Sequence, residues 1–201
     1  IDVHLVTRRP ETLRQVFRER TGHITIHAVD LLDGDATGRL LDELRPERLL
    51  HFAWHADTTT RWTSPRNAVW SDATVELVER FAAAGGQRVV VAGTCAEYDW
   101  AAGTMNESRT ARAPVTAYGA AKLRTHQLLR TRAVGLGVSL AWAHVFFCYG
   151  PAEQPGRLVH DVITALLQGR PVDCSDGRQV RDYMHTEDLG RAFAALVMSR
   201  F

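Results

Sequence analysis

The chain has 201 residues, and its 24 basic and 23 acidic side chains give a formal net charge of +1, which offers no basic excess for binding nucleic acid. With 45% hydrophobic and 23% charged residues, the composition is that of a globular protein and not of a disordered chain. No signal peptide is recognisable and the longest apolar stretch, residues 138–149, is too short to span a bilayer, so we expect a cytoplasmic protein with no membrane segment.

Hydrophobic periodicity and turn residues predict strands and helices that alternate along the chain. In chain order they are strand 1–6, helix 10–20, strand 24–29, helix 35–44, strand 49–53, helix 67–84, strand 88–92, helix 117–133, strand 138–146, and helices 157–167 and 187–198. Pro10 begins the first helix, while Gly22, Gly85 and Gly135 follow the ends of three helices. The alternation predicts an α/β fold with a doubly wound parallel sheet, which binds ligands at the carboxyl ends of its strands.

Histidines at i, i+4 spacing raise the possibility of a metal site. The pairs are His23 with His27 and His51 with His55. Both lie on or beside predicted strands, where four residues span about 13 Å, so neither pair can share an ion. We predict no metal site.

Tyr118 and Lys122 form the strongest local signal for chemistry. They lie one turn apart on a predicted helix, and Lys122 is the only lysine among 24 basic residues. A neighbouring ammonium is expected to lower the pKa of the phenol and to make it a workable general acid and base. The alternative is an amphipathic pair at the surface, but chance would place the lone lysine four residues after one of the four tyrosines in only about one case in fifty.

Four motifs in register resemble the extended short-chain dehydrogenase/reductases that act on nucleotide sugars. They are Tyr118-Gly-Ala-Ala-Lys122, Val89-Val-Val-Ala-Gly-Thr94-Cys-Ala-Glu-Tyr98, Val145-Phe-Phe-Cys-Tyr149-Gly150-Pro151 and Gly177-Arg-Gln-Val-Arg181-Asp182-Tyr183-Met-His185-Thr-Glu-Asp188. The resemblance covers essentially the whole chain and implies a Rossmann-like domain over residues 1–150. Residues 151–201 would begin a small substrate-binding domain interleaved with the last part of the first.

The resemblance also implies roles for individual residues. Tyr118 is the acid and base, Lys122 supports it and bonds the nicotinamide ribose, and Thr94 places a hydroxyl on the reacting sugar oxygen. The residues implied beside the cofactor are Asp30, Leu31, Phe52, Ala53 and Trp54, although core packing explains Phe52 and Trp54 nearly as well. The residues implied beside the substrate are Cys95, Phe147, Arg157 and Arg181, with Arg181 on the diphosphate; Arg157 could equally be a solvated helix start.

The chain departs from the family pattern in three places. The first strand and its Gly-rich loop are not in the sequence, so we expect it to be a fragment. Phe147 replaces an asparagine that the family often uses to contact the sugar. Cys95 and Ala96 replace the Asp-Glu pair of the 4,6-dehydratases, so water elimination lacks its proton carriers and a dehydratase is disfavoured.

Arg8 and Arg9 follow the first predicted strand, where NAD enzymes of this fold usually carry an acid for the ribose 2′-hydroxyl. Guanidinium groups would pair with a 2′-phosphate, which favours NADP over NAD, although an exposed helix entry is the other interpretation.

The leading hypothesis is reduction of a keto group, at C4, of a nucleotide-linked deoxysugar. The alternatives are an NAD(P)-dependent 4-epimerase and a non-catalytic dinucleotide sensor. A homodimer is expected through helices 67–84 and 117–133, the first carrying Val75, Val78 and Ala82 at helical spacing.

Overall fold

The computed structural model describes residues 1–17 and 23–199, in which strands and helices alternate as the sequence predicts. The strands are β1 (Val3–Thr7), β2 (Ile24–Ala28), β3 (Arg48–His51), β4 (Arg88–Thr94), β5 (Ser139–Val145), β6 (Phe147–Tyr149) and β7 (Tyr183–His185). The helices are α1 (Pro10–Val16), α2 (Gly34–Leu44), α3 (Arg66–Ala83), α4 (Ala117–Leu136), α5 (Leu158–Leu167) and α6 (Thr186–Met198).

All strand pairs are parallel. β1 pairs with β2, β3-β4-β5 form a three-stranded sheet, and β6 pairs with β7. The doubly wound fold has the strand order 3-2-1-4-5-6. In that order, β2 and β1 correspond to positions 3 and 2, and β3, β4 and β5 correspond to positions 4, 5 and 6. Within the described ranges, no ladder joins β1 to β3. The doubly wound, Rossmann-like α/β fold is thus confirmed.

The main core lies between the three-stranded sheet and the helices α3 and α4. β4 contributes Val89 and Val91, α3 contributes Val78 and Phe81, and α4 contributes Leu129. Each such side chain contributes roughly 1.5–3 kcal/mol when it is fully removed from water. This packing makes β4 the most buried strand, and it fixes the carboxyl end of β4 in space.

The structure places the C-terminal helix against the same sheet. α6 packs on β3 and β4, and its Phe193 is buried. The guanidinium of Arg88 in β4 donates to the carbonyl of Leu196 and to the hydroxyl of Ser199. The last described helix therefore completes the sheet layer.

Three sequence predictions need correction. α4 does not end before Gly135 but runs to Leu136, because Gly137 adopts the left-handed conformation (φ 68°) and its N–H caps the helix. The predicted strand 138–146 corresponds to β5, whereas β6 and its partner β7 had no strand prediction. Val75 and Val78 belong to the core, so they give no support to a dimer interface. The predicted helix end near Arg20 and Gly22 lies outside the described residues.

No helix in the described part of the chain is both long enough and apolar enough to cross a membrane.

Candidate active site

Thr94 is the last residue of β4, and the short 3-10 helix Cys95–Glu97 follows it directly. Its side chain is buried, and its hydroxyl accepts the N–H of Ala96 at 3.2 Å. Because β4 is held on both sides by β3 and β5, the hydroxyl is presented at a rigid sheet edge, where a doubly wound sheet binds ligands.

Tyr118 lies in the first turn of α4, opposite that edge. Thr116 caps the helix by accepting the N–H of Gly119 at 3.0 Å. Gly119 is required by close approach, since a Cβ there would lie 2.2 Å from the carbonyl oxygen of Ala96. The glycine therefore lets α4 approach the turn after Thr94, and it brings the phenol and the threonine hydroxyl together.

The electrostatics of Tyr118 differ from the sequence-based expectation. Burial raises the pKa of the phenol, and the hydrogen bond with Thr94 and the charge of Arg61 only partly oppose this. The expected lowering by Lys122 is wrong for this structure, because the ammonium is directed elsewhere. The phenol is therefore held in its protonated form.

Lys122 is 2% exposed, and its Nζ donates to the carbonyl of Ala92 at 2.8 Å. The ammonium also lies over the ring of Trp54, 3.9 Å from its centroid, in a cation–π contact. Burial lowers the pKa of Lys122 to about 7, against the opposing charge of Glu97. Lys122 is thus a basic group buried in the interior, one turn from Tyr118 on α4.

Glu97 is a residue that our sequence analysis missed. Its carboxylate is fully buried, and Oε1 accepts the N–H of Thr94 and the indole N–H of Trp142, both at 3.0 Å. On its other side, Nε2 of His144 lies 3.2 Å from Oε2. The signal was present in the sequence, since Thr94 and Glu97 have the spacing of a helix capping box.

Glu97, His126 and His144 place their donor atoms within 4.8 Å of one another, as in a metal site. A guanidinium nitrogen of Arg112, however, lies 3.0 Å from Nδ1 of His126, the same atom that faces Glu97. A fixed positive charge at a ligand atom opposes a cation. Glu97, His126 and His144, together with Arg112, are therefore better described as a buried network of polar side chains.

The residues expected beside the cofactor lie at the ends of β1, β2 and β3. The guanidinium of Arg8 is 3.8 Å from the carboxylate of Asp30, which also accepts the N–H of Leu32. Arg9 is exposed, and Leu31 packs on the core. After β3, Phe52 is 52% exposed with its ring against Phe193, and Ala53 leads to Trp54.

Trp54 makes specific contacts with site residues and does not only fill the hydrophobic core. Its indole N–H donates to Asn67 at 2.8 Å, while its ring meets both Lys122 and Tyr118. Together with Trp62, whose ring stands edge-on to Tyr118 at 5.5 Å, it forms an aromatic wall around the phenol.

The residues expected beside the substrate do not form one cluster. Arg157 shares an open cavity of about 300 Å³ with Arg61, a residue our sequence analysis did not single out. Burial and the charge of Arg157 lower the pKa of Arg61, and its Nε is buried without a hydrogen-bond partner in the described part of the chain.

Arg181 lies apart from that cavity. Its guanidinium is 5.6 Å from the ring centroids of both Trp100 and Phe147. Cys95 is partly buried, and burial raises the pKa of its thiol, so it is a neutral group beside Thr94.

Comparisons with known proteins show the family of this chain. The pattern of the NAD-dependent epimerase/dehydratase family matches residues 1–200. A UDP-glucose 4-epimerase of Azospirillum brasilense is 29% identical over 191 residues, covering 82% of this chain and 54% of its own length. A dTDP-glucose 4,6-dehydratase of Xanthomonas campestris pv. campestris is 28% identical over 172 residues, covering 79% and 49%. The chain thus spans about half the length of the curated relatives it matches.

Solved structures give the same picture. MoeE5 in complex with UDP-glucose and NAD superposes with a TM-score of 0.78 at 28% identity, covering 100% of this chain and 73% of the other. A UDP-N-acetylglucosamine 4-epimerase from Methanobrevibacter ruminantium has a TM-score of 0.79 at 18% identity, covering 100% and 74%, which supports the fold.

Proposed function

The chain belongs to the NAD-dependent epimerase/dehydratase family, and from this premise we propose that it is part of an NADP-dependent oxidoreductase that reduces the C4 keto group of a nucleotide-linked deoxysugar. The observation that carries the proposal is the convergence of Thr94, Tyr118 and Lys122 at the carboxyl end of β4. A neutral phenol and a hydroxyl facing the same space can donate to one oxygen, which is what a carbonyl needs as it becomes an alkoxide.

Tyr118 can supply the proton that reduction requires. A phenol is protonated at neutral pH at its ordinary pKa, and burial raises that pKa further, so it can donate to the developing alkoxide. Oxidation of a sugar alcohol would first require the phenol to lose that proton. Thr94 would hydrogen-bond the same oxygen and orient it.

The residues around Lys122 fit a nicotinamide cofactor. An ammonium has three N–H donors, and the described residues supply one hydrogen-bond acceptor, the carbonyl of Ala92, besides the face of Trp54. The spare donors suit the ribose hydroxyls of a nucleotide. When bound, the cofactor supplies the hydride; Lys122 and Trp54 would hold it beside Tyr118.

Preference for NADP is proposed from Arg8 and Arg9. Arg8 is more than half exposed, and its ion pair with Asp30 at 3.8 Å is too long for a hydrogen bond, so its N–H groups can donate to a phosphate. MoeE5 and a UDP-glucuronic acid 4-epimerase from Bacillus cereus are described in complex with NAD, so the proposed NADP preference rests on Arg8 and Arg9 alone.

The diphosphate of the substrate is proposed to lie between Arg61 and Arg157. Two guanidinium groups face one cavity, and no carboxylate in the described residues forms a salt bridge with either. Such an unbalanced positive site suits phosphate oxygens. Arg181, whose guanidinium lies over the rings of Trp100 and Phe147, is proposed as a further basic contact to the diphosphate.

The test measures how much NADPH is oxidised for each equivalent of keto-sugar added. We expect the full-length enzyme to oxidise NADPH in proportion to an added nucleotide 4-keto-6-deoxyhexose, followed at the nicotinamide absorbance band. Thr94→Ala is expected to lower kcat, while Thr131→Ala, a matched change on the exposed face of α4, leaves it unchanged. If hexose epimers interconvert with no net change in that band, the 4-epimerase alternative replaces this proposal. If nucleotide and cofactor bind without turnover, the dinucleotide sensor replaces it.

A further inference from the structure

Glu97 is a buried charge that the reaction described above does not use. Its carboxylate is 0% exposed and accepts the N–H of Thr94. It also accepts the indole N–H of Trp142, whose ring centroid lies 5.9 Å from Nζ of Lys122, so it is near both groups that the reaction uses. We propose that Glu97 is a positioning residue: its carboxylate holds Thr94 in place against Tyr118, and its negative charge balances the buried ammonium of Lys122. The inference rests on the proposed function for its effect on turnover.

The first half of the inference follows from the contacts of Oε1. This oxygen accepts the N–H of Thr94 at 3.0 Å, while the Thr94 hydroxyl accepts the N–H of Ala96 at 3.2 Å. The two bonds fix both the backbone and the side chain of Thr94 at the end of β4. The indole N–H of Trp142 fixes Oε1 in turn, again at 3.0 Å.

A glycine on β4 makes the contact with the indole possible. A Cβ at Gly93 would lie 2.1 Å from Nε1 of Trp142, so any other residue would push the indole away. The arrangement around Oε1 is therefore built from three elements: β4, the 3-10 helix after it, and β5.

The second half concerns charge. A buried ammonium is costly unless a negative charge lies near it. Glu97 provides one, because Trp142 donates its indole N–H to Oε1 and has its ring centroid 5.9 Å from Nζ of Lys122. The charge of Glu97 accordingly raises the pKa of Lys122 and opposes the lowering by burial. Burial would also raise the pKa of Glu97, but the contacts with His126 and His144 and the N–H of Thr94 outweigh it and hold the pKa at about 2. The carboxylate is thus ionised over the whole working range of an enzyme.

The titratable and charged groups that face Glu97 are few. Lys122 and His126 come from α4, His144 from β5, and Arg112 reaches the site through His126. Tyr98, Cys95 and Tyr118 are the remaining groups that feel its charge. Among them, burial lowers the pKa of Lys122 to about 7.

The experiment uses the fact that the chain contains one lysine. Protein labelled with 13C at the lysine ε-carbon gives a signal from Lys122, assigned by its loss in Lys122→Arg, and the pH titration of that signal gives its midpoint. We expect Glu97→Gln to move the midpoint down by about one pH unit. Glu79→Gln, which removes an exposed carboxylate of α3 paired with Arg132, leaves the midpoint unchanged.

Turnover supplies the second readout. Glu97→Gln is expected to lower kcat 10- to 100-fold with KM for the nucleotide sugar within about twofold, since substrate contacts are intact. Glu97→Asp keeps the charge but shortens the reach to the Thr94 N–H, so its kcat should fall while its Lys122 midpoint stays at the wild-type value. If Glu97→Gln fails to fold, Glu97→Asp still tests whether the carboxylate positions Thr94.

An unchanged Lys122 midpoint in Glu97→Gln, or wild-type kcat in Glu97→Asp, would overturn the inference. The titration needs no substrate. A wild-type enzyme that does not oxidise NADPH with the keto-sugar therefore refutes the proposed function alone, and the Lys122 midpoint still decides the charge-balancing role of Glu97.

Discussion

His51 is expected to make the protein lose stability as the pH falls. It is the last residue of β3 and is 3% exposed, with its Nε2 3.1 Å from the hydroxyl of Thr74. Burial, helped by the charge of Lys122, lowers the pKa of His51 from 6.5 to about 3. The imidazole is therefore neutral in the folded protein at a pH where the unfolded chain binds a proton.

The sign and size of the effect follow from these two pKa values. Between pH 6.5 and 3 the unfolded state binds more protons, so the free energy of unfolding falls as pH falls and is fully restored above pH 6.5. With the folded pKa near 3, the loss between pH 8 and pH 5 is about 2 kcal/mol.

The assay is urea unfolding of the protein at pH 8 and pH 5. His51→Gln removes the titration and keeps a side chain that can bond Thr74, so its stability should fall by about 2 kcal/mol less than that of the wild type over this interval. His23→Gln, an exposed histidine beside Asp2, is the control and should behave as the wild type. If wild type and His51→Gln lose the same stability, the buried neutral histidine is not the cause.

Three further predictions concern the site. Tyr118→Phe should lower kcat by about 10²- to 10⁴-fold and leave the Kd for the cofactor unchanged in calorimetry, because the phenol acts on a proton and not on binding; wild-type turnover would contradict its role. Gly93→Ala should cost about 1–3 kcal/mol in urea unfolding, because the methyl group collides with the indole of Trp142; equal stability would show that the indole can move. The double change Arg8→Ala, Arg9→Ala should reduce the ratio of kcat/KM for NADPH to that for NADH by tenfold or more, and equal use of both cofactors by the intact protein would rule out the proposed preference.

The fold was predictable because its signals are local. Apolar runs such as β4 and the helix-ending glycines are visible in the sequence, and they gave most elements within one to four residues. The strands β6 and β7 are three residues each, and they exist because they pair across a long separation in the chain. No local pattern carries that information.

The site was predictable in part for the same reason. The spacing of Tyr118 and Lys122 identified both residues, but the direction of the Lys122 side chain depends on the carbonyl of Ala92 and the ring of Trp54. The pKa of the phenol depends on burial, which spacing does not show. Arg61 escaped notice because it meets Arg157 only through the folded chain.

The tryptophans around Tyr118 have an optical consequence. Trp54 and Trp62 flank the phenol, and Trp54 lies against Trp70 with ring centroids 6.5 Å apart. Tryptophan emits in the near ultraviolet, where a reduced nicotinamide absorbs, so a cofactor held beside Lys122 would take up excitation from these rings. The tryptophans around the phenol are therefore an intrinsic fluorophore, and binding of the cofactor can be followed in solution by the quenching of their fluorescence, without any added label.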